Sequence, residues 1–327
     1  MLYVCTPTLD CGHARKGHAM TLREIITDRY SVLHNLKPKT VGLFCGTLDR
    51  MAEHLGREPV VDDLNDLTVT KFLRWRAVTK CRGRLPAAAT VRKDQAHLSA
   101  IWNHLAKKRH IRSDGQPLEF PDLPRNLVKV PRKPPRGYTV QEVSALVRQA
   151  KCRQGRVYGL PAPWFWMSLV MAAWYTGERI GGLLRIRWGE VDLDRGLLTF
   201  LGETRKGGLE TIQRAIPAQL AEILRMHVRG QNDHVWPWLD AHEENSIYTS
   251  FKTMALRAGV VPRGFHAIRK ASGSYVKAAG GDATEHLGHA NPRTTQQHYL
   301  DPDITGRQSA LDFLPPLDID GPDRPAA

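Results

Sequence analysis

Six residues in the second half of the chain are of types that hold an anion and move protons around it. Arg179 follows the glycine turn of "TGER", and Lys206 lies in "ETRKGG", between two runs that alternate apolar and polar residues. His266 and Arg269 stand three apart in "FHAIRK", on one face of a helix. His289 sits at the glycine turn of "HLGH", and Tyr299 follows ten residues later in "TTQQHYLDP". A core tyrosine belongs to an apolar stripe of helical or strand period, and Tyr299 belongs to none. Guanidinium groups donate paired hydrogen bonds to phosphate oxygens, so the chemistry that suits this set is chemistry at a phosphate. Taken singly, each stretch has an ordinary reading: an isolated Arg or Lys is solvated, and a His-x-x-Arg is a pair on a helix face.

The whole chain fits a phosphate-rich partner. Its 327 residues are enough for two domains, and a net charge of +14 with a pI near 9.8 favours a polyanion. No run of 18 apolar residues occurs and the N-terminal stretch lacks a long apolar core, so a cytoplasmic protein with no membrane association is expected. Five scattered cysteines argue against a disulfide framework. Cys5, Cys11, His13 and His18 match no zinc spacing, and His286, His289 and His298 beside His266 lack carboxylate or cysteine partners, so no metal is expected.

The elements that must position the six residues can be read from spacing. "TLRE" at 21–24 is a capping box opening a helix with Leu22, Ile25, Ile26 and Leu33 on one face. Val41, Phe44, Leu48, Met51 and Leu55 mark a second helix, and a third follows Thr68 with Phe72 and Trp75. A fourth over 88–109 turns Val91, Leu98, Ile101, Trp102 and Leu105 inward and leaves Arg92, Lys93, Lys107, Lys108 and Arg109 outside. Repeated prolines make 117–137 an extended linker, whose Arg125, Lys129, Arg132, Lys133 and Arg136 suit a phosphate backbone or solvent equally. A second capping box, "TVQE" at 139–142, opens the next domain, with an apolar helix at "PWFWMSLVMAAWY" and a three-stranded antiparallel sheet over 191–217. Asn291 and Pro292 cap and open a short helix ahead of Tyr299. The expected fold is mainly α with a small antiparallel β-sheet, an α+β chain.

In this order the motifs resemble those of the tyrosine recombinase, or phage integrase, family over about 139–302, and the preceding helices look like its core DNA-binding domain. The resemblance implies an arm over 1–20, a helical core-binding domain over 21–116, the linker over 117–137, a catalytic domain over 138–302 and a tail over 303–327. Arg179 matches the first family arginine, Lys206 the hairpin lysine, His266 and Arg269 the His-x-x-Arg box, and His289 the leucine-glycine-histidine box. Tyr299 matches the nucleophile.

The implied activity is site-specific breakage and rejoining of double-stranded DNA through a 3′-phosphotyrosyl intermediate. Arg179 and Arg269 would clamp the phosphate, Lys206 would protonate the leaving 5′ oxygen, His266 would accept the phenol proton and His289 would hydrogen-bond the phosphate. The intermediate conserves the bond energy, so neither ATP nor a metal cofactor is required. A DNA-dependent homotetramer is the expected assembly, with Leu311, Phe313 and Leu314 of the tail packing on a neighbouring copy.

Two departures leave alternatives open. The family's usual glutamate three residues after the first arginine is replaced by Gly182. Either another carboxylate, such as Glu178, supplies that support or Arg179 is less firmly held, as in a binding-only protein that has lost turnover. "AAGGDATEHLGH" is also shorter than usual by about one helical turn. A related alternative is relaxation of supercoils in the manner of a type IB topoisomerase.

Overall fold

The computed structural model of the protein describes residues 20–81, 83–124, 127–131, 133–204, 210–243 and 245–306. The chain divides into two compact units, Met1–Arg132 and Lys133–Ala327.

The first unit is helical. Thr21 caps α1 (Leu22–Glu24) reciprocally: its Oγ1 accepts the Glu24 N–H, and the Glu24 carboxylate accepts the Thr21 N–H at 2.8 Å. The helix runs on through a π-helical segment, Ile25–Tyr30, into α2 (Ser31–Leu33). Leu22, Ile25 and Ile26 are buried as their spacing predicts, but Leu33 is 67% exposed. A π turn holds more residues than an α turn, so the apolar stripe slips and Tyr30 takes the inward place instead.

The next helix, α3 (Pro38–Leu55), buries Phe44, Leu48 and Met51. α4 (Asp66–Val78) begins ahead of Thr68 because the Asn65 side chain accepts the Thr68 N–H at 2.9 Å and so forms the cap. α5 (Ala88–Lys107) buries the five apolar positions expected of it and exposes Arg92, Lys93 and Lys107. Between these helices Arg76 Nε meets Asp94 at 3.2 Å, and Thr47 Oγ1 donates to the other oxygen of Asp94 at 2.9 Å.

The proline-rich stretch does not run as a free connector from its start. Leu118 is buried in the first unit, Trp102 Nε1 donates to the Glu119 carbonyl at 2.7 Å, and Leu127 and Val128 pack on the same core.

The second unit opens on the Thr139–Glu142 capping box of α6 (Val140–Lys151). A hairpin of β1 (Arg156–Val157) and β2 (Leu160–Pro161) follows, with strands too short for alternation to reveal. α7 (Ala162–Thr176) is buried nearly all round, as its continuous apolar sequence requires, and it ends at Gly177 with φ +59. α8 (Ile180–Leu183) leads to an antiparallel meander of β3 (Val191–Asp192), β4 (Leu197–Phe200) and β5 (Ile212–Ala215), in which Leu198 pairs with Val191 on one side and Arg214 on the other.

α9 (Ala218–Arg225), α10 (Ser246–Arg257) and α11 (Phe265–Ala278) complete the main packing. The short α12 (Ala283–Leu287), α13 (Pro292–His298) and α14 (Pro302–Thr305) follow. The architecture is therefore mainly helical with small antiparallel sheets, as expected. Among the described residues no helix is long and apolar enough to cross a membrane.

Candidate active site

Arg269 is the centre of the site. It projects from α11 and is only 1% exposed. Its Nη1 donates to the Gly177 carbonyl, and its Nη2 donates to the Leu287 carbonyl at 2.7 Å and to His289 Nε2 at 2.9 Å. Gly177 must be glycine twice over: its φ is positive, and a Cβ there would lie 2.7 Å from His286 Nε2. Burial first, then the neighbouring Arg179 cation, pushes Arg269 below the usual arginine value, with Glu178 acting the other way.

His289 is placed by the same network. Its Nε2 accepts from Arg269, so its proton sits on Nδ1 and is donated to Thr295 Oγ1 at 2.8 Å. That assignment makes His289 a neutral imidazole held at both nitrogens.

Tyr299 follows the last residue of α13, which begins at Pro292 with Asn291 as its cap. The tyrosine is 7% exposed, and the rings and cation set against it are polar. Its ring centroid lies 4.4 Å from that of His289 and 5.0 Å from that of His266, and Arg269 Cζ lies 5.3 Å from its centre. Two imidazoles and a guanidinium replace the apolar face that the sequence pattern lacks, an arrangement favoured by the negative face of the phenol ring.

His266 is exposed as a residue, while its ring packs over Tyr299. Desolvation of that ring, followed by the cations Lys270, Arg269 and Arg179, pushes it down to about 4. It is neutral at pH 7. Arg179 is half-buried at the N-terminus of α8, and its backbone N–H donates to Glu178 Oε1 at 2.8 Å. The structure thus brings Arg179, His266, Arg269, His289 and Tyr299 together. Lys206 lies outside the described residues, as do Arg125, Arg132, the Cys5–Cys11–His13–His18 group and the tail residues Leu311, Phe313 and Leu314.

Several residues around the site are not evident from motif reading. Asp301, 3% exposed, accepts the Gly137 N–H at 2.8 Å, and its own N–H donates to Ser274 Oγ at 2.8 Å. Ser274 Oγ donates its proton to the Lys270 carbonyl at 2.8 Å, with the Tyr299 carbonyl a weaker 3.3 Å acceptor, so Asp301 fastens the turn carrying the tyrosine to α11 and to the start of the second unit. Gly137 has no room for a side chain, since a Cβ would meet the Ala271 backbone at 2.9 Å. Arg136, expected to face phosphate or solvent, instead pairs with Asp301 and Asp303. The signal for this cluster is the Asp-Pro that caps α14, which marks a turn but not its distant partner.

His286, once a candidate metal ligand, shares a 2.6 Å hydrogen bond with Ser272, and burial, then Arg214 and Arg269, pushes it down to about 4. His298 is exposed at the end of α13. Among the described residues, no three or more His, Cys, Asp or Glu side chains are grouped to hold a metal ion.

Residues 140–305 match the model of the phage integrase family. Over 135 residues the chain is 29% identical to the tyrosine recombinase XerC of Xanthomonas axonopodis pv. citri, covering 39% of this chain and 44% of that protein. Over 253 residues it is 25% identical to the tyrosine recombinase XerA of Thermococcus kodakarensis, covering 74% and 84%. The chain spans less than half the length of the bacterial XerC relatives it matches first, between 38% and 44%.

Among solved structures, a lambda integrase tetramer bound to a Holliday junction aligns with a TM-score of 0.61 at 18% identity, over 89% of this chain and 80% of that one. XerH site-specific recombinase in a pre-cleavage complex with its difH substrate aligns with a TM-score of 0.62 at 14% identity, over 86% and 79%. These likenesses show a shared fold. With the family model covering half of its length, the chain belongs to the phage integrase family.

Proposed function

We propose that this protein is a site-specific DNA recombinase that breaks and rejoins double-stranded DNA through a 3′-phosphotyrosyl intermediate. The observation that carries the reading is the enclosure of Tyr299 by His266, His289 and Arg269 on an otherwise polar turn. A tyrosine serving only the core would pack on apolar side chains. Here it meets groups suited to a phosphate and to a proton.

In the proposed step the Tyr299 hydroxyl oxygen attacks the scissile phosphorus and the bond to the 5′ oxygen breaks. Arg179 and Arg269 hold the nonbridging oxygens and offset the charge that builds on them. His266 takes the phenol proton. It is poorly basic in the free protein, first because burial strips its ring of water and then because Lys270, Arg269 and Arg179 crowd it with positive charge, and a bound phosphate opposes that second effect and raises its basicity. Lys206 gives a proton to the leaving 5′ oxygen, and His289, whose Nε2 accepts from Arg269 and whose Nδ1 donates to Thr295, has no N–H left for the phosphate and instead steadies the guanidinium that holds it. Attack by a 5′ hydroxyl on the phosphotyrosine reverses the step and seals a strand, so the bond count is conserved without ATP. Double-stranded DNA is the partner, and the +14 charge supports its capture. A tetramer assembled on DNA is the form we propose for exchange between two sites.

The test uses nicked duplexes carrying the repeated sequence at the borders of the element that encodes the protein. A nick beside the crossover lets the 5′ fragment diffuse away and traps the adduct. The wild-type chain forms a covalent protein–DNA species that survives denaturing electrophoresis, and Tyr299→Phe forms none. Equal DNA activities in both proteins would overturn the reading and leave a binding-only protein. Relaxation of supercoils with no exchange between sites would point instead to a type IB topoisomerase activity.

A further inference from the structure

A buried carboxylate stands immediately before Arg179. Glu178 is 3% exposed, in a turn between a buried helix and a four-residue one. Its Oε1 accepts the Arg179 N–H at 2.8 Å, which fixes the backbone from which that guanidinium projects. Its charge also acts on Arg269, opposing the effects of burial and of Arg179. The room for this side chain comes from Gly182: a Cβ there would meet Glu178 Cγ at 3.0 Å and Oε1 at 3.3 Å. Gly182 N–H in turn donates to the Arg179 carbonyl at 2.8 Å, so the two positions lie on one turn around the arginine.

We infer that Glu178 is the positioning residue of the arginine pair, and that Gly182 is glycine because the Glu178 side chain fills the space above it. The two positions are one site with a single carboxylate that either can supply. A buried anion that holds the Arg179 backbone and acts on Arg269 lowers the cost of keeping the two like cations close. A side chain at 182 starts from the volume Glu178 occupies, so with Glu178 cut back, a glutamate at 182 delivers its carboxylate to the same pocket.

This inference rests on the recombinase reading, and its test separates the two. Adduct formation on the nicked duplex is measured for wild type, Glu178→Gln, Gly182→Glu and the double variant Glu178→Ala with Gly182→Glu. Glu178→Gln keeps the size and the bond to Arg179 N–H but loses the charge, and its adduct rate falls about 100-fold. Gly182→Glu alone crowds two carboxylates together and falls by a similar factor, while the double variant returns to within about tenfold of wild type. Wild-type rates in Glu178→Gln, or a double variant worse than both singles, would overturn the inference.

A second readout needs no reaction: exchange of the Arg179 and Arg269 Nε–H protons, followed by NMR on the full chain. Exchange quickens in Glu178→Gln and slows again in the double variant if Glu178 holds the pair. Unchanged exchange in Glu178→Gln overturns the inference even where the wild-type chain forms no adduct, a result that would count separately against the recombinase reading.

Discussion

Two buried arginines, one in each unit, are held in opposite ways. Arg76 in the first unit faces the carboxylate of Asp94, which Thr47 also bonds, so its charge is neutralised where it lies. Arg269 in the second unit is held by the carbonyls of Gly177 and Leu287 and by the neutral ring of His289. Glu178 acts on it as a nearby charge, but these hydrogen bonds all go to neutral groups. Carbonyl dipoles fix a guanidinium in place without cancelling its charge. One arginine is therefore a structural tie between helices, and the other is a cation kept in reserve for an anion, at the cost of burying it.

Substitutions that exchange these two conditions test the contrast. The largest effect is expected at Arg269: Arg269→Lys cannot reach three acceptors with one ammonium, and adduct formation on the nicked duplex drops by roughly 10³-fold. Asp94→Ala acts on the other side of the comparison. It leaves Arg76 buried without a counter-charge and costs about 3–5 kcal/mol in denaturant unfolding of the first unit, while Arg76→Met with Asp94→Leu comes out near neutral. A charged pair that proves irreplaceable by this apolar one would show that Arg76 does more than tie helices.

A smaller effect is expected at Thr295. Thr295→Val removes the acceptor for His289 Nδ1, loosening the ring beside Tyr299, and the adduct rate falls about tenfold, the equivalent of one hydrogen bond. A pH effect comes last. His286 and His266 are both pushed down to about 4 in the folded chain, against an ordinary value near 6.5. As pH falls below 6.5 the unfolded chain takes up protons that the folded chain refuses, so stability declines down to about pH 4 and then levels. Thermal melting across that window shows the slope, and His286→Gln, removing the less exposed ring, makes it shallower.

The helices that position the site were legible because their signals are local. Thr21, Thr139, Asn291 and Pro292 announce helix starts within four residues, and His266 and Arg269 share a helix face at a spacing anyone can count. Leu33 misleads because a π-helical turn changes the number of residues per turn without leaving a mark in composition. The surroundings of Tyr299 could not be read from its own stretch, since the rings that bury it come from two other elements. Glu178 and Gly182 were visible as an oddity, but only the space above the glycine relates them.

The hydrogen bond between Gly137 and Asp301 makes the second unit nearly circular. The residue by which the backbone enters and a residue just past Tyr299 are 164 positions apart along the chain and 2.8 Å apart in space. A pull on the backbone ahead of Gly137 is thus delivered directly to the turn that carries Tyr299, with no intervening helix to absorb it. In mechanical terms, the tyrosine sits at the clasp of a loop, and whatever tensions the strap reaches the clasp first.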